Sequence, residues 1–196
     1  MAKLYFKYGA MDSGKSTILL QTAHNYESLG YNVFLIKPKI DDKGEDTICS
    51  RLGISRKVNK LIDTNEEIKI PDIDNLGCIL VDEVQFLSRE QIDQLDSIVR
   101  ELNVPVIAFG LRTDFLGKGF EGSSRLLEIA DTIEEIKTLC QCGKKATKHL
   151  RKVNGEISTG GEQVLIDNKD NVEYLSVCGQ CFYDNLKRRK NDRNSN

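Results

Sequence analysis

The chain has 196 residues, 39% of them hydrophobic, and a formal net charge of -2. That length supports one full domain with a small appendage, and the balanced charge provides no global field to draw in a nucleic acid or a membrane surface. No apolar run approaches the length needed to span a bilayer, and Met1-Ala2-Lys3 leads directly into a predicted strand instead of a signal peptide, so the chain reads as cytoplasmic.

Leu4-Tyr5-Phe6-Lys7-Tyr8 predicts a buried strand. It feeds Gly9-Ala10-Met11-Asp12-Ser13-Gly14-Lys15-Ser16, with Thr17 behind, which has the spacing G-x-x-x-x-G-K-[ST] of a phosphate-binding loop. Glycines at both ends let such a loop curl until its N–H groups face phosphate oxygens, and the helix behind it adds positive potential. In that pattern Lys15 reaches the outer phosphates and the Ser16 hydroxyl holds Mg²⁺. So short a pattern also arises by chance, and the strand before it and helix after it are what argue against that. In the helix Ile18, Leu19, Thr22, Ala23, Tyr26 and Leu29 recur at helical spacing, and Gly30 closes it. His24, with no ligand or nucleophile pattern around it, reads as a surface or packing residue.

Val33-Phe34-Leu35-Ile36 is a continuous apolar run of the kind buried on both faces of a parallel sheet, completing a first βαβ unit. Pro38 ends the strand. Asp41 to Ser55 is expected as a long loop, and Arg56 to Ile70 as a strand and part of a helix. Cys78-Ile79-Leu80-Val81-Asp82-Glu83 then places two carboxylates at the end of a buried strand, where a sheet of this class binds its ligand, and an Asp there commonly supports Mg²⁺. Ser88 and Gln91 form a capping-box pattern ahead of a helix carrying Ile92, Leu95, Ile98, Val99 and Leu102. Val104 to Gly110 is a further strand with Pro105 at its start, followed by a glycine-rich segment containing Phe115 and Phe120. Those phenylalanines can serve as packing residues or stack on a flat ligand. Ser123 to Ala130 reads as the last helix.

Beyond Asp131 the composition changes to short strands, turns and cysteines. Cys49 and Cys78 stand alone and read as small buried hydrophobes. Cys140 with Cys142, and Cys178 with Cys181, have the layout of a zinc ribbon, in which four thiolates hold one structural ion; unliganded thiols are the other reading. Cys140-Gln141-Cys142 has only one residue between its sulfurs, and Gly143 follows as a knuckle residue. The fold expected is α/β: a P-loop NTPase-like parallel sheet flanked by helices over residues 1–135, and a small zinc-ribbon-like domain over 136–186. A disordered basic tail, including Lys187-Arg188-Arg189-Lys190, is expected over 187–196.

Taken in order, Gly9-x-Met11-x-Ser13-Gly14-Lys15-Ser16-Thr17, Lys37-Pro38-x-x-Asp41, Asp82-Glu83-x-Gln85-Phe86, Gly110-Leu111-x-x-Asp114-Phe115 and the paired cysteines resemble the class II, zinc-containing thymidine kinases. The resemblance runs from Leu4 to about Tyr183. It implies an ATP- and Mg²⁺-dependent kinase that phosphorylates thymidine, and deoxyuridine as well, with structural Zn²⁺ on the four cysteines. Glu83 matches the family's general base. Residues Gly9 to Thr17, with Asp82 and Gln85, fall on the ATP side, Ser16 and Asp82 serving Mg²⁺. Met11, Phe86, Leu111, Phe115, Phe120 and Tyr174 match positions around the base and sugar. The family's lasso, which holds the base through its main chain, maps to the region around Gln163-Val164-Leu165-Ile166, with Val164, Leu165 and Ile166 as its nucleoside contacts. A homotetramer inhibited by dTTP is implied too, with no stable nucleic-acid partner.

This chain departs from the family pattern at Lys43, at Ile166-Asp167-Asn168, at the short first cysteine pair, at Gly179 and at His149, whereas Arg151 agrees. Two rivals are a recombination-type ATPase gripping DNA with its zinc ribbon and a catalytically silent nucleotide sensor. The near-neutral charge and the lack of aromatic residues among the basic ones weigh against the first.

Overall fold

A strand stretch buried on both faces must be apolar, and the runs Val33-Phe34-Leu35-Ile36, Cys78-Ile79-Leu80-Val81 and Val106-Ile107-Ala108-Phe109 are. The computed structural model describes residues 1–39, 46–161, 163 and 171–194. They fall into two units, one of Met1–Tyr8, Gly14–Arg112 and Phe120–Ile136, the other of Gly9–Ser13, Thr113–Gly119 and the residues from Lys137 onward.

The first unit is an α/β layer structure. Its strands β1 (Leu4–Gly9), β2 (Asn32–Pro38), β5 (Lys60–Ile62), β6 (Leu76–Val81), β7 (Val106–Gly110) and β8 (Thr132–Ile136) form one sheet in the order β5-β2-β6-β7-β1-β8. The pairs β1/β7, β2/β5, β2/β6 and β6/β7 are all parallel. Successive side chains alternate between faces. One face sends Leu4, Phe6, Phe34, Ile36, Ile79 and Val81 against Ile92, Leu95 and Val99 of α2 (Arg89–Leu102) and Leu126 of α3 (Glu121–Ile129). The other sends Val33, Leu35, Cys78, Leu80, Ile107 and Phe109 against Leu19, Leu20 and Ala23 of α1 (Lys15–Ser28). Helix α2 starts on a reciprocal capping box: Gln91 N–H donates to Ser88 Oγ at 3.3 Å, and Ser88 N–H donates to Gln91 Oε1 at 3.1 Å.

Two expectations for this unit need correction. Within the stretch expected as one long loop from Asp41 to Ser55, β3 (Thr47–Cys49) pairs antiparallel with β4 (Ser55–Lys57) across a turn in which Gly53 takes a φ of 82°. The helical part expected before Ile70 is absent. There, Gln91 Nε2 donates to the carbonyls of Asp63 and Glu66, each at 2.8 Å, and Ile68 N–H donates to Gln94 Oε1 at 2.9 Å. Side chains of α2 thus satisfy the backbone that an intrahelical ladder would otherwise satisfy.

The second unit takes in two earlier segments in addition to the residues from Lys137 on. Its sheet has the order β10-β9-β11, from β9 (Lys148–Val153), β10 (Glu156–Ile157) and β11 (Val172–Val177), both pairings antiparallel. Among the described residues its main buried cluster is small, Ala10, Cys140, Ala146, Leu150, Val177 and Cys178, and Phe115 and Val172 are buried as well. Helix α4 (Gly179–Asn194) follows, so the Lys187–Lys190 run, expected as disordered tail, lies within a helix.

Candidate active site

The first unit gathers one set of the expected residues. Gly14, with a φ of 82°, caps α1, and Ile18 N–H donates to its carbonyl at 3.0 Å, so the helix begins directly behind the glycine as a phosphate loop requires. Lys15 is buried. Ser16 Oγ donates to Asp82 Oδ2 at 3.5 Å. Asp82 lies at the end of β6, its N–H donating to Ile36 O at 3.0 Å, and is itself buried. Burial pushes its carboxyl up to about 7, helped by the neighbouring Glu83 charge and opposed by Lys15 and Lys37.

Glu83 is held in the left-handed region, at a φ of 49°, a conformation that costs a non-glycine residue free energy and is often found at functional sites. Gln85, inside the short 3-10 turn Val84–Phe86, donates through Nε2 to Glu83 Oε2 at 2.5 Å. Its Oε1 accepts from Leu111 N–H at 2.9 Å. Ser123 Oγ donates to Leu111 O, which ties the residue after β7 to α3. Phe86 and Phe120 meet edge to face with centroids 5.8 Å apart.

The second unit gathers the rest. On β9 and β11, His149 stands opposite Ser176 and Arg151 opposite Tyr174, so alternation puts all four on one face and Leu150, Leu175 and Val177 on the other. The Arg151 guanidinium stacks on Phe115 at 3.6 Å, and its Nη2 donates to Gly160 O at 2.7 Å and to Ser158 Oγ at 3.2 Å. Asp114 Oδ1 accepts from the N–H groups of Leu116 and Lys118, at 2.9 and 2.8 Å, and Oδ2 accepts from Gln163 Nε2 at 3.2 Å. This one carboxylate therefore holds both its own turn and Gln163, the first residue of the stretch read as the lasso. Val164, Leu165, Ile166, Asp41 and Lys43 lie outside the described residues.

Both expected metals can be tested against the donors. Asp82 Oδ1 is buried and makes no hydrogen bond among the described residues. An oxygen so placed, beside a phosphate-loop hydroxyl, suits a ligand or hydrogen-bond acceptor of hydrated Mg²⁺. The ligand sulfurs of Cys140, Cys142, Cys178 and Cys181 all lie within 4.8 Å of one another. Tetrahedral zinc with Zn–S bonds of about 2.3 Å sets sulfur separations of about 3.8 Å, and Cys142 and Cys178 are 3.6 Å apart. Gly143, at a φ of 82°, donates its N–H to Cys140 O at 2.8 Å and completes the turn that lets the short pair fold back. Backbone N–H groups of Cys142 and Cys178 directed at the Cys140 sulfur hold its thiol down to about 6, toward the thiolate that metal binding requires.

A family model described as thymidine kinase matches residues 2–182. The chain belongs to the thymidine kinase family. It is 47% identical over 184 residues to a protein named thymidine kinase from Chromobacterium violaceum, covering 93% of this chain and 99% of that one. A thymidine kinase from Rhodopirellula baltica is 43% identical over 198 residues, covering 98% and 93%. One from Mannheimia succiniciproducens is 47% identical over 184 residues, covering 91% and 93%.

Two residues of this thymidine kinase family member received no role from the sequence. Lys37 is buried at the end of β2, its Nζ donating to Thr47 O at 3.2 Å while its charge acts on Asp82. The sequence marks it only as part of Lys37-Pro38-x-x-Asp41; a lysine ending the buried apolar run Val33 to Ile36 is the signal that could have shown its role. Ser176 donates to Met11 O at 2.6 Å, from a residue 165 positions later in the chain, and a lone serine in a short strand carries no local mark of that role. Among the described residues, no helix is long and apolar enough to cross a membrane.

Proposed function

We propose that the chain transfers the γ-phosphoryl group of ATP to the 5′-hydroxyl of thymidine, giving dTMP, and that it accepts deoxyuridine as a second substrate. The observation that carries the chemistry is the Ser16–Asp82 contact immediately beside a carboxylate, Glu83, that is held by Gln85. Glu83 serves as the base that takes the hydroxyl proton as that oxygen attacks phosphorus. Lys15 and the N–H groups of the loop from Gly9 to Thr17 offset charge on the phosphates, and Ser16 and Asp82 hold Mg²⁺. When bound, Mg²⁺ neutralises charge that develops during the transfer.

By resemblance, Met11, Phe86, Leu111, Phe115, Phe120 and Tyr174 contact the nucleoside, with the lasso residues Val164, Leu165 and Ile166 completing recognition. The four cysteines hold a structural zinc, which with four protein ligands has no open position for catalysis. A cytoplasmic homotetramer inhibited by dTTP completes the reading. The names of the relatives support thymidine as the substrate.

The test is ADP release with thymidine, deoxycytidine, deoxyadenosine or no nucleoside. Turnover is expected with thymidine alone of these, and equal release without a nucleoside would overturn the kinase assignment.

A further inference from the structure

Met11 lies in the front half of the phosphate loop, and both polar groups of its main chain are taken by side chains from the far end of the sequence. Its N–H donates to His149 Nε2 at 2.9 Å, and its carbonyl accepts from Ser176 Oγ at 2.6 Å. His149 and Ser176 face each other directly in the antiparallel register of β9 and β11. One cross-strand pair therefore grips one residue of the loop from two sides. The loop is anchored on either flank as well: Ala10 packs with Cys140, Ala146, Leu150, Val177 and Cys178, and Asp12 O accepts from Thr138 Oγ1 at 3.4 Å.

From this we infer that His149 and Ser176 are positioning residues, which fix the main chain of Met11 and thereby the direction its side chain takes toward the nucleoside. The inference rests on the reading of Met11 as a nucleoside contact. An imidazole nitrogen that accepts from an N–H carries no proton, so the ring is neutral with its hydrogen on Nδ1. His149 is buried, which limits the water that could replace it as the partner of the Met11 N–H. Asp12, next in the loop, has a φ of 64°, so the segment is already held in an uncommon conformation where a lost tether has consequences.

The experiment compares His149→Leu, His149→Gln and Ser176→Ala in the full chain, reading hydrogen exchange at the Met11 amide and steady-state kinetics. A glutamine carbonyl reaches about as far as Nε2 and keeps an acceptor, whereas leucine removes it. His149→Leu and Ser176→Ala are expected to speed Met11 exchange and to raise the KM for thymidine about five- to tenfold, with kcat changed less than about twofold. His149→Gln is expected to restore both. Unchanged exchange in both disruptive variants overturns the clamp, and His149→Gln as impaired as His149→Leu overturns the hydrogen-bonding role in favour of packing. Faster exchange with an unchanged thymidine KM overturns the functional consequence. Met11→Ala separates that failure from a failure of the nucleoside reading, because the latter leaves thymidine KM unchanged in Met11→Ala too.

Discussion

Gln85 Nε2 donates to Glu83 Oε2 at 2.5 Å, and the same amide accepts from Leu111 N–H through Oε1 at 2.9 Å. A flipped amide would present a carbonyl oxygen to the carboxylate and an NH₂ group to an N–H, so neither partner permits it. The consequence is that one oxygen of Glu83 is tethered to the end of β7, and the orientation of the other is set with it. Gln85→Leu is expected to lower kcat by about 10- to 100-fold with little change in KM for ATP. In a Glu83→Ala background the same change is expected to cost almost nothing further, since residues that act through one another are not additive. An equal loss in both backgrounds would show that Gln85 acts on something other than Glu83, such as the nucleotide.

Asp82 links pH to stability. Its carboxyl has an ordinary value of 3.8 and is raised by burial to about 7. Between those values the folded chain keeps a proton that the unfolded chain has released. The contribution of this group to stability is therefore full below about pH 4 and is lost as pH rises toward 7. Asp82→Asn removes the buried charge. Without Mg²⁺, the variant is expected to melt several degrees above the parent at pH 8, with the difference closing toward pH 4, and to gain nothing from Mg²⁺-ATP where the parent gains. Scanning calorimetry across that range decides it. A difference independent of pH would remove Asp82 titration as the cause.

The parts of this design that the sequence displays are those in which a residue's surroundings are local or periodic. Strands β2, β6 and β7 are legible because burial on both faces demands unbroken apolar runs, and Ser88 with Gln91 marks the start of α2 because a capping box is a four-residue pattern. The phosphate loop and Asp82-Glu83 are legible for a related reason, since motif spacing reflects a fixed backbone path. Residues 63–70 are not, because the groups that satisfy their backbone are Gln91 and Gln94 on another element. The tie from Ser176 to Met11 is equally hidden: it depends on the register between β9 and β11, which no local pattern specifies.

The cysteine cluster is expected to hold the second unit together. Among the described residues that unit's main buried cluster is Ala10, Cys140, Ala146, Leu150, Val177 and Cys178, with Phe115 and Val172 buried besides, little apolar surface for independent stability without a cross-link or metal. Protein purified without chelators should contain about one zinc per chain by elemental analysis. Stripping it, or Cys178→Ser, should expose residues 137–194 to protease while the sheet residues from Leu76 to Gly110 stay protected. Equal resistance with and without the metal would deny it a structural role.

Gly110 connects packing to the base. It has no unusual backbone conformation, but a Cβ there would lie 2.5 Å from Gln85 Oε1, 2.9 Å from Val84 Cγ1 and 3.2 Å from the Gln85 backbone nitrogen. Gln85 cannot swing away without giving up Leu111 N–H on one side and Glu83 on the other. Gly110→Ala is therefore expected to destabilise the fold by about 1–3 kcal/mol, as overpacking does, and to lower kcat as Gln85→Leu does. Gly179→Ala is the matched control, because a Cβ there meets nothing within 4 Å. Urea unfolding and kcat measured on both variants separate the effects: a Gly110→Ala protein that loses stability but keeps full kcat would show that Glu83 tolerates movement of Gln85.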